Sequence, residues 1–395
     1  MHGVNTYRLR KRISRVLIKA TFVLSICFGL LPFYYNQQQK RFTTSKSITI
    51  YNIFINILFA SIMVFVLQIF SNAEDPFQTR DPLAELLNQM VTYASFCAIL
   101  ITWWINWTGR KELQKLFNEF AAIDADYCYR YPNLVNECAH FDSYLIWKGA
   151  SILLQNASAF ANMWLLVDAG WLFILCICLA TVLTNVLFLV MTHFFIAVLY
   201  TYRFAWVSNM RLQIMADSGN EVQQRAQCRL VSLEIDAIAH TYLRLIRLCE
   251  GYTKIHQYQL LLVVGCITAC NIEVLFYMRL LWGGKAYEMD ASNIFGIIQI
   301  FFVNILDFWL TMTICELAVV TSQKTLQILR VFNEKWDLAV PVERSLERFA
   351  LICCSKKLRF HLCGIFDINH LTGLQVLFTM ILYLIYLVQY YHDNL

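Results

Sequence analysis

The sequence predicts an all-α polytopic membrane protein. It has seven transmembrane helices with an intracellular N-terminus, an N-terminal re-entrant segment and cytoplasmic helical extensions. Three observations carry this. Apolar residues make up 58% of the 395 positions and charged residues only 15%, against about 25% in soluble domains. Mean hydropathy is +0.51, and the apolar runs are continuous rather than alternating, which argues for helices and against a barrel. Lys and Arg, finally, are distributed unevenly among the segments that join the runs.

Eight apolar segments stand out, at about 16–35, 48–70, 85–107, 143–163, 170–200, 257–282, 294–320 and 369–391. The first is flanked on both sides by basic residues: Arg8, Arg10, Lys11, Arg12 and Arg15 before it, Lys40, Arg41 and Lys46 after it. If all eight segments crossed, one flank would lie outside. If 16–35 dips in and returns, 27 of the 32 basic residues are cytoplasmic and 2 are outside, whereas eight crossings give 22 against 7. Seven crossings therefore follow, with Gly29 and Pro32 turning the re-entrant segment. This topology is inverted relative to G-protein-coupled receptors.

The remaining elements follow in order. Span 48–70 is joined to span 85–107 by an acidic loop (Glu74, Asp75, Asp81). The second span ends in Trp103, Trp104 and Trp107 before Arg110 and Lys111, an aromatic belt and a basic stop at the cytoplasmic face. Leu113, Leu116, Phe117 and Phe120 then recur at helical spacing. They predict an amphipathic helix packed on partner helices or lying on the membrane surface. Span 143–163 leads through Asp168 and Gly170 to 170–200, whose helical pattern continues to a break at 217–220. Residues 221–256 read as a long amphipathic cytoplasmic helix, and 321–368 behaves similarly around Pro341. No internal repeat or linker divides the chain, so residues 1–395 form one domain. Val16–Tyr35 lacks a small-residue cleavage site before Asn36, so no removable signal peptide is expected. The sequons at Asn106 and Asn156 fall at or in spans and should not be glycosylated.

The chain shows no HExxH, GxSxG or Gly-rich phosphate loop, so no enzyme is expected. The 14 Cys are scattered, mostly in apolar runs, and read as packing residues. No metal, other cofactor or nucleic-acid partner is expected. Intramembrane polar groups are the default functional hypothesis. Gln89 and Tyr93, Gln155, Asn156 and Asn162, Asn271 and Glu273, and Gln299, Asn304 and Asp307 lie in the outward part of the bundle, with Trp171 heading span four. They form either an outward-opening ligand pocket or interhelical hydrogen bonds worth about 1 kcal/mol or less each. For Asp307 no basic partner is obvious. Of these, Tyr93, Gln155, Asn156, Trp171, Asn304 and Asp307 are the candidate ligand-binding set.

The last span carries the second candidate site. On a helix, Tyr386, Gln389 and Tyr390 share one stripe, and lipid would reject Gln389. Tyr383-x5-Gln389-Tyr390 resembles the closing Thr-Tyr-x5-Gln-Phe signature of insect gustatory receptors, with Leu382 in place of Thr and Tyr390 in place of Phe. The GLLPFYY run around Gly29 and Pro32 is similar to that family's N-terminal region. These receptors belong to a seven-transmembrane chemoreceptor superfamily shared with insect odorant receptors.

The resemblance implies a tastant-gated, non-selective cation channel, homo- or heterotetrameric, in the plasma membrane of gustatory receptor neurons (dendrite, axon or soma). The last helix of each subunit would line the pore, with Gln389 as the pore glutamine and Tyr386 and Tyr390 beside it at the gate. Small-molecule tastants and membrane lipid are the implied partners. The general look is closer to the divergent bitter-type group. A transporter or a G-protein-coupled seven-span receptor is the alternative reading.

Overall fold

In a computed structural model, residues 2–72, 82–164, 171–217, 225–282, 291–334 and 340–394 are described. Asp168, Gly170, most of the break at 217–220 and the side chain of Asn162 lie outside the described residues. The chain runs α1 (His2–Cys27), β1 (Tyr34–Asn36), β2 (Arg41–Thr43), α2 (Lys46–Asn72), α3 (Pro82–Thr108), α4 (Arg110–Arg130), α5 (Pro132–Glu137), α6 (Ala139–Trp164), α7 (Trp171–Asp217), α8 (Arg225–Trp282), α9 (Ala291–Glu334), α10 (Val340–Ser355), β3 (His361–Leu362), β4 (Phe366–Asp367) and α11 (His370–Asn394).

Among the described residues, six helices are long and apolar enough to cross a membrane: α2, α3, α7, α8, α9 and α11. The seventh crossing is α6. Lys148, Gln155 and Asn156 along its length make it less apolar than the others. At 47, 58 and 44 residues, α7, α8 and α9 are about 70, 87 and 66 Å long. A hydrocarbon layer is about 30 Å thick, so all three project well beyond it.

The projections bury their apolar faces within the chain. Leu212 and Met215 of α7, Ile235, Ile238 and Tyr242 of α8, Leu329 and Phe332 of α9, and Leu346 and Phe349 of α10 form one cluster. Arg211 clamps Glu234 through two bonds of 2.6 and 2.9 Å. The amphipathic helix after span two is α4. Its Leu113 is buried, and Leu116, Phe117 and Phe120 pack on the core, with Phe120 edge-on to Tyr252 of α8. The alternative of a surface-lying membrane helix is therefore not what forms.

Segment 16–35 comprises the apolar half of α1 and a turn. Gly29 has φ +67°, and Leu30 N–H reaches back to Ser25 C=O at 2.8 Å, closing the helix as a left-handed glycine does. A Cβ there would also sit 2.2 Å from Asn56 Oδ1. Leu30, Leu31 and Phe33 then plug into the core. Trp103 Nε1 and Asn106 Nδ2 at the end of α3 donate to the carbonyls of Phe28 and Leu30.

Both flanks of the segment return to the same region. Lys11 donates to Asn136 of α5. The β1–β2 hairpin is held by α4, where Asn118 Oδ1 accepts from Phe42 N–H at 2.6 Å and Gln114 donates to Phe42 C=O at 2.8 Å. Because α4 and α5 form one connection between α3 and α6, the two basic flanks share a membrane face.

Two short hairpins, β1–β2 and β3–β4, were not expected from the apolar pattern. Their strands are too short to show alternation. The second turns through a left-handed Cys363-Gly364 pair between β3 and β4, leads into α11, and docks Phe360, just before β3, edge-on against Phe194 of α7.

Candidate functional site

Two groups of polar residues within the membrane-spanning part hold most of the candidate residues. The first lies where α6 packs against both α7 and α9, which also pack on each other. On α6, Lys148, Ser151 and Gln155 follow one another at helical spacing and meet Asp307 and Asn304, one turn apart on α9. Lys148 Nζ lies 2.6 Å from Asp307 Oδ2 and 2.8 Å from Oδ1, and Ser151 Oγ donates to Oδ1 at 2.5 Å. Both ionised side chains are almost fully buried, at 1% and 3% exposure. The Lys148 ammonium also faces the ring of Phe195.

This corrects one expectation directly. Asp307 has a basic partner, and it is Lys148. Nothing but a fold could show it, since 158 residues separate them in the chain. Spacing did offer a signal: a Lys-x2-Ser-x3-Gln face on one helix and an Asn-x2-Asp face on another.

One turn along, three amides form a chain. Gln155 Nε2 donates to Asn304 Oδ1 at 2.9 Å, and Asn304 Nδ2 to Asn271 Oδ1 of α8 at 3.5 Å. Two ends of this chain are unsatisfied: Gln155 Oε1 and Asn271 Nδ2 are buried with no hydrogen-bond partner among the described residues. Asn156 turns the other way, to α7, and exchanges a reciprocal pair of bonds with Asn185 at 2.8 and 2.9 Å. Asn185 was not singled out from sequence, although an amide within span 170–200 carries the same signal as Asn156.

Of the sequence candidates, the fold thus brings together Gln155, Asn304 and Asp307, with Asn156 on the next face. It does not bring Tyr93 or Trp171 to them. Tyr93 is 52% and Trp171 75% exposed. Among the described residues neither is tied to the cluster by a hydrogen bond or ring contact. Aromatic residues on the outside of a bundle suit the membrane interface.

The second group is on α11. Asn369 caps the helix by accepting from Thr372 N–H at 2.8 Å, and Glu316 Oε2 of α9 accepts from His370 N–H at 2.8 Å. The ring of His370 lies 5.0 Å from that of Trp309, and Gly373 lets α9 approach closely at Trp309 and Met312. Farther along, Leu384, Leu387 and Tyr391 pack on Ala84 of α3 and Phe276 and Leu280 of α8.

The opposite face is uncovered. Tyr383, Tyr386 and Tyr390 are 58%, 68% and 57% exposed, and Gln389 is exposed as well. Two residues missed from sequence extend the same stripe. Gln375 and Thr379 lie eleven and seven positions before Tyr386 and are exposed too. Only 11% of the most apolar stretch of α11 is buried within the chain, the smallest share among the six apolar helices. A membrane helix with Gln375, Thr379, Tyr386 and Gln389 on its open face is poorly matched to lipid alone.

Among the described residues, no group of three or more His, Cys, Asp or Glu is placed to hold a metal ion.

Comparison with known proteins gives a consistent picture. The 7tm chemosensory receptor family model matches residues 18–393. A Drosophila melanogaster protein named gustatory receptor for bitter taste 22e is 28% identical, covering 98% of both chains. Among solved structures, the insect olfactory receptor OR5 of Machilis hrabei superposes with a TM-score of 0.69 at 9% identity, covering 95% of this chain and 98% of that one. The same receptor in complex with eugenol gives 0.63 at 11% identity, covering 98% and 99%.

Proposed function

This chain belongs to the 7tm chemosensory receptor family, and from that premise we propose that it is a gustatory receptor subunit, a tastant-gated non-selective cation channel. The observation that carries the reading is the face of α11. Its inner side is packed on α3 and α8 while Tyr386, Gln389 and Tyr390 are left uncovered. Four such faces around an axis supply what an ion path requires: aromatic side chains that resist wetting when close together, and amide oxygens that replace water around a cation without a fixed charge. Gln375 and Thr379 continue the polar lining toward the cytoplasm.

Tastant binding belongs to the seam of α6, α7 and α9, at Gln155, Asn156, Asn304 and Asp307. α9 links that seam to the gate. Asp307 is held to α6, and two residues on, Trp309 meets His370 at the start of α11. A ligand that binds the open arrangement more tightly shifts α9 and with it the α11 helices. The eugenol-bound neighbour shows that this fold takes a small aromatic molecule in another receptor. The bitter-taste relative supports bitter or aversive compounds as the ligand class. The site of action is the plasma membrane of gustatory receptor neurons, in a homo- or heterotetramer with other receptor subunits.

The test is electrical. In cells expressing the chain, Gln389→Lys should lower cation conductance and change monovalent permeability ratios. Unchanged conductance and ratios at normal surface expression would remove Gln389 from the path.

A further inference from the structure

We propose that the exposed side of α1 is a binding site for anionic phospholipid of the inner leaflet, with Arg8, Arg12, Arg15 and Lys19 holding the headgroup phosphate and the adjacent apolar stripe holding the acyl chains.

The sides of α1 follow from its sequence. At about 100° per residue, Leu9, Ile13, Val16, Val23 and Leu24 fall within about 100° of arc, and all are exposed. Arg8, Arg12, Arg15 and Lys19 fall within about 60°, centred about 100° away from the apolar stripe, and are exposed as well. The remaining side is taken. Ser14 and Ser25 are buried there, and Leu17, Ile18 and Phe22 pack on the core. Ser25 shares a 2.6 Å hydrogen bond with His193 of α7, and Leu17 lies against Gly149 of α6. The rotation of α1 is therefore fixed, and both stripes stay open.

Both ends of α1 are held at the cytoplasmic face. Lys11 donates to Asn136 of α5, and the carbonyls of Phe28 and Leu30 accept from Trp103 and Asn106 at the cytoplasmic end of α3. A helix tied to one face at both ends lies at that membrane surface, where a basic stripe beside an apolar one meets headgroups and acyl chains together. Charge selects the headgroup. The first 73 residues contain nine Lys and Arg and no Asp or Glu. Among the described residues, none of the four stripe cations is paired with an acid. A zwitterionic headgroup leaves that charge uncompensated, whereas an anionic one gains roughly fivefold in affinity per cation near the surface. A soluble anion or an acidic peptide would leave the apolar stripe without a partner.

The test uses the purified full-length chain in detergent micelles, with binding of dioleoyl phosphatidylserine and dioleoyl phosphatidylcholine read by native mass spectrometry. Phosphatidylserine should bind at least tenfold tighter than phosphatidylcholine. Arg12→Gln/Arg15→Gln/Lys19→Gln should abolish that preference. Arg229→Gln/Arg330→Gln/Arg344→Gln removes the same charge from exposed positions on α8, α9 and α10, and should leave the preference within twofold. A phosphatidylserine with a diazirine on one acyl chain should place its adducts between Leu9 and Leu24.

Equal binding of the two lipids, an equal loss in both triple variants, or adducts confined to other helices would each overturn the proposal. So would displacement by soluble glycerophosphoserine at the lipid's own concentration, which marks a site for a free phosphate. Should the α1 triple variant fail to fold, Arg12→Gln, Arg15→Gln and Lys19→Gln are read singly. Each should cost phosphatidylserine at least threefold, and three unchanged affinities overturn the proposal.

Discussion

Lys148 of α6 and Asp307 of α9 form an ion pair of 2.6 Å with both side chains essentially out of contact with solvent. Deleting one partner strands the other charge in a low-dielectric seam, which costs about 3–5 kcal/mol. Lys148→Met or Asp307→Leu should therefore lower the melting temperature of the detergent-solubilised chain sharply. The double variant Lys148→Met/Asp307→Leu should recover most of the loss, because it removes both desolvation penalties. A double variant as unstable as the worse single one would show that the pair does more than neutralise itself.

Trp309 is placed to transmit motion from this pair to α11, through its ring contact with His370 and the close approach at Gly373. Trp309→Ala should leave tastant binding within a few-fold while reducing the maximal current at least tenfold, measured as thermal stabilisation and whole-cell current on the same variant. Equal loss of both would place Trp309 in folding rather than coupling.

The turn after α1 depends on one glycine. Gly29→Ala meets both a positive φ, costing roughly 1–2 kcal/mol for a non-glycine residue, and a contact with Asn56 Oδ1 at 2.2 Å. Surface expression should fall in Gly29→Ala and rise partly in Gly29→Ala/Asn56→Ala, which relieves the contact but not the backbone strain. Wild-type expression of Gly29→Ala would contradict the turn.

Tyr127 of α4 lies outside the membrane-spanning segments, and burial pushes its hydroxyl up to about 12. An unfolded tyrosine ionises near 10. Between these values the unfolded chain releases the proton and the folded one keeps it, so the associated stability is intact below pH 10 and is lost as pH rises toward 12, by about 2–3 kcal/mol. Tyr127→Phe should lose about 1 kcal/mol at neutral pH, from the 2.6 Å bond to Ser208. It should unfold less steeply than the parent in alkali, followed by tryptophan fluorescence. Parallel pH profiles would refute the assignment.

Much of this was legible in the chain. The basic flanks of segment 16–35 predicted their shared face, and the contacts of Lys11 and Phe42 with α5 and α4 supply it. The Tyr386–Gln389–Tyr390 stripe predicted a side of α11 that faces protein or water rather than lipid, and within the chain that side is exposed. Partnerships were not legible. Lys148 reads as the edge of an apolar run until α9 is laid beside α6, and Asn185 as a lone amide until α6 is laid beside α7. Tyr93 and Trp171 illustrate the converse. Their position along a helix was plain, but their position around it depends on which neighbours pack.

The central claim is that the Tyr386–Gln389 face of α11 lines an ion path. It is tested most directly by placing Cys at Gln389 and applying a membrane-impermeant cationic methanethiosulfonate to expressing cells, with the unsubstituted chain and Leu384→Cys, on the face packed against α3 and α8, as controls. The account predicts irreversible block of current in Gln389→Cys alone. Current that persists unchanged while the Gln389→Cys thiol is shown to be labelled would contradict it.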